Sequence, residues 1–467
     1  MKKQRASRKK SAKRTSTRNM RVVYANAAGI DIGSESHFVA VPSDTDERPV
    51  REFRAFTADL HKLADWLDEC GITHVAMEST GIYWIPLFEI LEARGFEVRL
   101  VDPRQLKTVP GRKSDVLDSQ WIQQLHSFGL LAGAFRPDDS VCVLRSYMRQ
   151  RAMLIESAAT HIQRMQKALS QMNVKLEKVL SDITGTTGMM IIDAILAGEH
   201  NAHKLAALRD ARCKRSEAEI ALALEGNWRP EHLFSLKQAV ELFRTYQRQI
   251  TECDREIEGC LASQDELGSP DDLPPDLRKG KSAKRNDPRF DARAHLHRMT
   301  GVDLTQIRGI NAHTALKVVS EIGTDMSRWP TAKHFTSWLA LAPGTKKSGG
   351  KLMSSRTKAT KNRAAHALRL AANALQRADT ALGAFFRRLK ARHGSPKAIT
   401  ATARKLAVAI YNMLKYGQEY VESGAAYYES EYQTRVIQSL TRRAADFGFQ
   451  LIPAKPVKAN LNDENEM

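Results

Sequence analysis

Residues 22–41, VVYANAAGIDIGSESHFVAV, decide the reading of the fold. Two apolar β-runs flank a Gly-containing turn, which predicts two adjacent strands. Asp31 stands in the middle of the first run. A carboxylate there is costly unless the strand lies at an edge or the charge is paired or bound to a cation. Working outward, residues 73–80 (THVAMEST) and 96–103 (FEVRLVDP) are further short β-runs, and the stretch between them, IYWIPLFEILEARG, has helical spacing. Strands alternating with helices predict an α/β sandwich around a mixed sheet over residues 22–140.

The same region collects acids. HVAMESTG places Glu78 at the end of an apolar run, and GRKSDVLDSQWIQQL places Asp115 and Asp118 three residues apart on one face of a helix start. Two carboxylates from a helix and two from strand ends form an oxygen cage suited to Mg²⁺ or Mn²⁺. Such metals stabilise the attacking and leaving oxygens of an in-line phosphoryl displacement. Plainer readings exist for each acid. Asp115 is a favourable charge at a helix N-terminus capped by Ser114, Asp118 its exposed neighbour, and Glu78 fits a solvated turn. Asp102, before Pro103, competes as a fourth ligand or serves as a turn residue. Asp31 is the hardest to explain without a cation.

The 467 residues carry a formal net charge of +19 with 42% hydrophobic residues, enough for cores in two or three domains. A charge of that size favours a polyanionic partner. No apolar run approaches the roughly 20 residues of a bilayer crossing, so no membrane role is expected. Five scattered cysteines form neither a CxxC pair nor a disulfide framework, as expected of reduced thiols in the cytoplasm. Residues 1–21 read as a basic disordered arm able to neutralise phosphates.

From Leu144 the pattern becomes helical. Leu144, Met148, Ile155, Ala158, Ile162, Met165, Leu169, Met172, Leu176, Val179 and Ile183 form a heptad seam broken only by Arg151, and a second seam runs from Leu236 to Cys260. Residues 141–262 therefore predict a coiled-coil region around a small helical insert, its two seams pairing within one chain or between subunits. Residues 263–294 are a Pro-, Gly- and charge-rich linker. Residues 295–423 predict a helical domain, followed by an extension and tail at 424–467. Within that domain LTQIRGINAHTALKVVSEIG has the form of a helix-hairpin-helix, with a helix starting near His313.

An apolar helix then ends in Ala-Pro-Gly, and the following loop holds Ser348, Gly349 and Gly350 among Lys346, Lys347, Lys351, Arg356, Lys358, Lys361 and Arg363. The minimum reading is a polyanion-binding loop. A sharper one makes a serine a nucleophile on DNA phosphorus. The residues alone do not separate Ser348 from Ser354 or Ser355.

The succession GIDIGSESHFVAV, AMESTGIYW and VDPRQLKTVPGRKSDVLDSQWI resembles the DEDD transposases of bacterial insertion sequences, the IS-one-ten and IS-eleven-eleven family. LALAPGTKKSGGK resembles the serine loop of the same family, with Ala340 where the family commonly has Gly. The resemblance covers both ends of the chain, roughly residues 27–137 and 295–417. It implies a RuvC-like, RNase H-type N-terminal domain with Asp31, Glu78, Asp115 and Asp118 as the metal-binding tetrad. It further implies Lys107 and Lys113 as phosphate contacts, and Ser348 as the residue that joins covalently to cleaved DNA. As partners it implies donor and target DNA, a non-coding bridge RNA that supplies sequence specificity by pairing, and a homo-oligomer, dimer or tetramer. A bacterial, nucleoid-associated location follows. The main rival is a metal-dependent Holliday-junction resolvase or RNase H-type nuclease, which attacks with water and needs no serine loop. A non-enzymatic nucleic-acid scaffold accounts for the charge alone.

Overall fold

The computed structural model describes residues 21–79, 81–106, 115–276, 284–417, 420 and 424–452. Most of the basic arm, Lys107, Lys113, Ser114 and the tail from residue 453 lie outside them. The chain divides into two compact units, Met1–Arg136 and Pro137–Met467.

The first unit is built on five strands: β1 (Ala27–Ile32), β2 (Ser36–Ala40), β3 (Val50–Arg54), β4 (His74–Glu78) and β5 (Glu97–Val101). Their order is β3-β2-β1-β4-β5. Strands β1 and β3 each run antiparallel to β2, whereas β4 lies parallel to both β1 and β5. Helices α1 (Thr57–Glu69), α2 (Trp84–Ala93), the single turn α3 (Pro103–Leu106) and α4 (Asp115–Ser127) complete the unit. The expected first run begins later than its apolar composition implied, since Val22 and Val23 precede β1 and are exposed.

Strand periodicity assigns the helices to faces. Ala28, Ile30 and Ile32 of β1 share a core with Val75 and Met77 of β4, Leu63 and Leu67 of α1, and Leu87 and Leu91 of α2. The alternate positions face the other way, where Ala76 and Val101 pack with Ile122 of α4. Mixed sheet and flanking helices thus form the expected α/β arrangement.

The second unit is largely helical. Two 33-residue helices, α5 (Asp139–Gln171) and α10 (Pro230–Ala262), frame a bundle with α6 (Leu176–Val179), α7 (Thr186–Leu196), α8 (Ala202–Ala206) and α9 (Glu217–Ala223). Helices α5 and α10 run antiparallel within one chain. Ser140 meets Cys260, Arg151 meets Asp254, and His161 stacks on Tyr246. The residue that interrupts the seam, Arg151, is only 2% exposed. Its Nε donates to Asp254 Oδ1 at 2.6 Å, and its Nη atoms reach Asp254 Oδ2 and the carbonyls of Asn286 and Asp287.

The first seam does not stay on one helix. Asn173 takes φ 61°, the left-handed region, and ends α5. Met172, Leu176 and Ile183 beyond it remain buried, packed in a common core with Ile191 of α7 and Ile220 of α9. Apolar spacing persisted there because the residues still enter a core, although the helix itself had ended.

Helices α11 (Ala292–Thr300), α12 (Ala312–Ile322), α13 (Ala332–Trp338), α14 (Arg363–Ala374), α15 (Ala381–His393), α16 (Ser395–Tyr416) and α17 (Gly424–Asp446) complete the unit. Arg145 of α5 donates to the Ser320 and Glu321 carbonyls at the end of α12, while Arg149 makes a two-pronged pair with the Glu321 carboxylate at 3.0 and 2.8 Å. Those bonds satisfy terminal carbonyls that a helix otherwise leaves unpaired.

Helix α13 closes with the Leu341 N–H on the Thr336 carbonyl and the Ala340 N–H on that of Ser337, a Schellman motif. Ala340 occupies its left-handed position at φ 53°, where glycine is the unstrained residue. The departure noted in the sequence thus falls where a Cβ is penalised by about 1–2 kcal/mol. Ala340→Gly relieves that strain but gives up a buried methyl. The expected net gain is about 0.5 kcal/mol, read as a higher denaturation midpoint with an unchanged slope.

Candidate metal centre

The acids meet because of what β1 lacks. Ala27, Gly29 and Asp31 project to the α4 side of the sheet. A Cβ built at Gly29 would lie 2.1 Å from the Gln123 nitrogen and 2.5 Å from the Ser119 carbonyl oxygen. Helix α4 can therefore lie against the strand only where there is no side chain. Gln123 Nε2 also donates to the Ala27 carbonyl at 3.2 Å. This seating carries the first turn of α4, with Asp115 and Asp118, beside the end of β1.

One carboxylate oxygen from each of Asp31, Asp115 and Asp118 lies within 4.8 Å of the others. Asp31 and Asp118 are half-buried and Asp115 is exposed. Glu78 is next in register beyond the Ile30–Met77 pair, so it neighbours Asp31 at the C-terminal ends of two interior strands. Among the described residues Asp102 is not part of the triad.

Electrostatics report the crowding. Burial, then the negative charges of Glu78, Asp115 and Asp118, push Asp31 up to about 6. The positive end of the α4 dipole favours acids in its first turn. The donor set is all carboxylate, which suits a hard divalent cation rather than zinc or copper. This cluster can coordinate a divalent metal.

The second unit presents Ser348 differently from a loose loop. Strands β6 (Lys346–Ser348) and β7 (Lys351–Ser354) form a two-stranded hairpin in which Ser348 pairs with Lys351. The turn residues Gly349 and Gly350 have φ 54° and 77°, both positive as a tight two-residue hairpin requires. Ser348 is exposed at the tip. Ser354 is half-buried and accepts the Arg356 N–H at 3.2 Å, so it is engaged in a local turn. Lys346, Lys347, Lys351, Arg356, Lys358, Lys361 and Arg363 are all exposed around this segment. The stretch anticipated as a helix-hairpin-helix consists of one 3-10 turn (Leu304–Gln306), a loop with Gly309 at φ 95°, and α12, whose cap Asn311 accepts the Thr314 N–H.

Gly29 is the positioning residue that reading for chemistry overlooked. Its signal was available: a lone glycine inside an apolar β-run marks a close backbone approach.

Residues 28–174 match a family model described as a transposase, of the DEDD IS110 type, and residues 286–387 match one described as the transposase IS116/IS110/IS902 family. No curated protein matches the chain.

Proposed function

We propose that this chain, which carries an IS110-type DEDD transposase domain, cleaves DNA phosphodiesters at the carboxylate cluster of its first unit in order to mobilise an insertion sequence. The observation that carries the reading is the convergence of Asp31, Asp115 and Asp118 within 4.8 Å, with Glu78 beside them. These four residues would hold Mg²⁺ or Mn²⁺, which supplies charge neutralisation at the scissile phosphate. The mixed sheet and the position of the acids at the C-terminal ends of its interior strands and on α4 support an RNase H-type assignment. The chain's net charge of +19 supports DNA binding through the backbone. Lys107 and Lys113 would contribute as phosphate contacts. Base pairing by a bridge RNA would then supply sequence specificity, as in other guided systems, and a homo-oligomer, dimer or tetramer, would hold the DNA ends.

Attack by water follows most directly from the acidic cluster, as in a resolvase or RNase H-type nuclease. A second reading makes Ser348 the nucleophile. It is favoured by the display of that hydroxyl at a glycine-turn tip among cations able to stabilise developing negative charge. The serine oxygen would attack phosphorus, its proton would leave to solvent or a base, and the displaced sugar oxygen would depart. In both readings cleavage requires the divalent metal and stops in EDTA. With Mg²⁺ and DNA carrying the element's ends, the serine reading expects a denaturation-resistant protein–DNA adduct that Ser348→Ala abolishes together with cleavage. Adduct-free cleavage retained by Ser348→Ala establishes water. Binding with no metal-dependent cleavage overturns the enzymatic assignment.

A further inference from the structure

Helix α4 comes closest to β1 at Gly29, where the backbone of Ser119 and Gln123 lies against the strand. Asp115 and Asp118 stand on one side of that contact, and His126 and Ser127 on the other. With 1.5 Å of rise per residue, each arm of the helix reaches about 9 Å from the middle of the contact. The helix contains neither glycine nor proline, so it bends little over that length. A tilt at one end therefore displaces the other end by a similar distance in the opposite direction.

The end remote from the acids is tied down. Residues 22–26 precede β1, and the Val23 and Tyr24 N–H groups donate to the Ser127 carbonyl at 2.8 and 3.0 Å. These bonds use a terminal carbonyl that the helix itself leaves open. The Tyr24 ring stacks on His126 with centroids 5.1 Å apart, tilts against His74 at 4.6 Å, and has the Arg99 guanidinium over it at 5.3 Å. Arg99 also donates to the Tyr24 hydroxyl at 3.3 Å. His126 is only 1% exposed, and neither of its ring nitrogens has a hydrogen-bond partner among the described residues. Burial, then the charges of Arg99 and His74, pushes His126 down to about 4, so the ring is neutral at pH 7. A leucine would fill that volume without burying unbonded nitrogens. What the imidazole adds is a flat face for Tyr24.

The geometry points to Tyr24 as a positioning residue for the metal centre. By holding the far end of α4 it keeps Asp115 and Asp118, across the Gly29 contact, within reach of Asp31. Magnesium accepts little departure from octahedral geometry, so a tilt of about an ångström at Tyr24 weakens the hold on the ion without touching a ligand. The inference rests on the acidic cluster holding a divalent cation, and it sets that cluster from the segment directly following the basic residues 1–21.

The test titrates Mn²⁺ into the full chain, reads the free ion by electron paramagnetic resonance, and works below the thermal midpoint of every variant. Leu60 is 3% exposed in the core on the opposite face of the sheet, so Leu60→Ala lowers the stability of the unit without reaching α4. Contacts that orient metal ligands from outside are worth about tenfold or more in affinity, and Tyr24→Ala is expected to raise the Mn²⁺ Kd by about that factor. Tyr24→Phe keeps the stack and should bind as the wild type does. Leu60→Ala should leave the Kd unchanged while lowering the midpoint. An unchanged Kd in Tyr24→Ala, or an equal loss in Leu60→Ala, overturns the inference and leaves the metal site standing. A wild type that binds no Mn²⁺, or an Asp31→Asn variant that binds it undiminished, removes the metal reading and the inference with it.

Discussion

Asp31→Asn is expected to lower metal-dependent DNA cleavage by on the order of 10³-fold or more, and at the same time to make the metal-free protein more stable at neutral pH. The two effects have one cause. Asp31 is pushed up to about 6 by burial and by three neighbouring carboxylates, which is the environment a cation relieves. The native state holds that proton up to about pH 6, whereas the unfolded chain releases it near the ordinary value of 3.8. The fold therefore loses stability as pH rises between those values, and the penalty is fully present above 6. Discounted for partial exposure, it amounts to about 1–2 kcal/mol. Asparagine fills nearly the same space without the charge. The Tm difference between variant and wild type should be absent below pH 4, grow to pH 6 and stay level above. Saturating Mg²⁺ should close the gap at pH 7 by stabilising the wild type. A variant that cleaves normally, or a Tm gap that is independent of pH, removes Asp31 from the site.

The second large effect concerns the buried ion pair of the helical unit. Arg151→Ala is expected to destabilise the second unit by about 3–5 kcal/mol, because it leaves the Asp254 carboxylate buried without its partner. The Asn286 and Asp287 carbonyls lose donors in the same step. Lysine should not restore the loss, since it cannot reproduce the forked contact to both Asp254 oxygens. Replacing both members, Arg151→Met with Asp254→Leu, should recover most of the stability, because apolar residues remove the desolvation cost together with the attraction. Chemical denaturation of the wild type, Arg151→Met, Asp254→Leu and the double variant forms a double-mutant cycle. Simple additivity of the two single losses would show that the pair is not coupled.

The sequence was most legible where one physical demand dominated. An ionisable residue inside the apolar run of β1 singles out Asp31, and the three-residue step from Asp115 to Asp118 places both on one helical face. Strand β3 escaped notice because VREFR is half-exposed along its length and carries three charges, leaving little apolar alternation to read. The hairpin at Ser348 has the sequence of a loop for a similar reason. Its seven strand residues are mostly lysine and serine, and only the Gly-Gly pair signals the turn. The seam beyond Met172 misled in the opposite direction, since burial kept the apolar spacing after Asn173 had turned the chain. Pairing between α5 and α10 was left open by periodicity, which fixes which face is buried and not what covers it. That choice is made by specific partners, Arg151 with Asp254 and His161 with Tyr246.

Gly29 has a consequence at the level of the codon. Any single-base change that replaces glycine with another residue brings a Cβ, and at this position the first atom of any side chain collides with the backbone of α4. The position thus has no conservative neighbour in mutational space, unlike Asp31, where glutamate or asparagine at least leaves the helix seated. Selection on the acidic centre should guard Gly29 as strictly as the aspartates it brings together, although it has no atom that could bind metal through a side chain. A screen of random variants would recover it among the loss-of-function positions and, read without the fold, would mistake it for part of the chemistry.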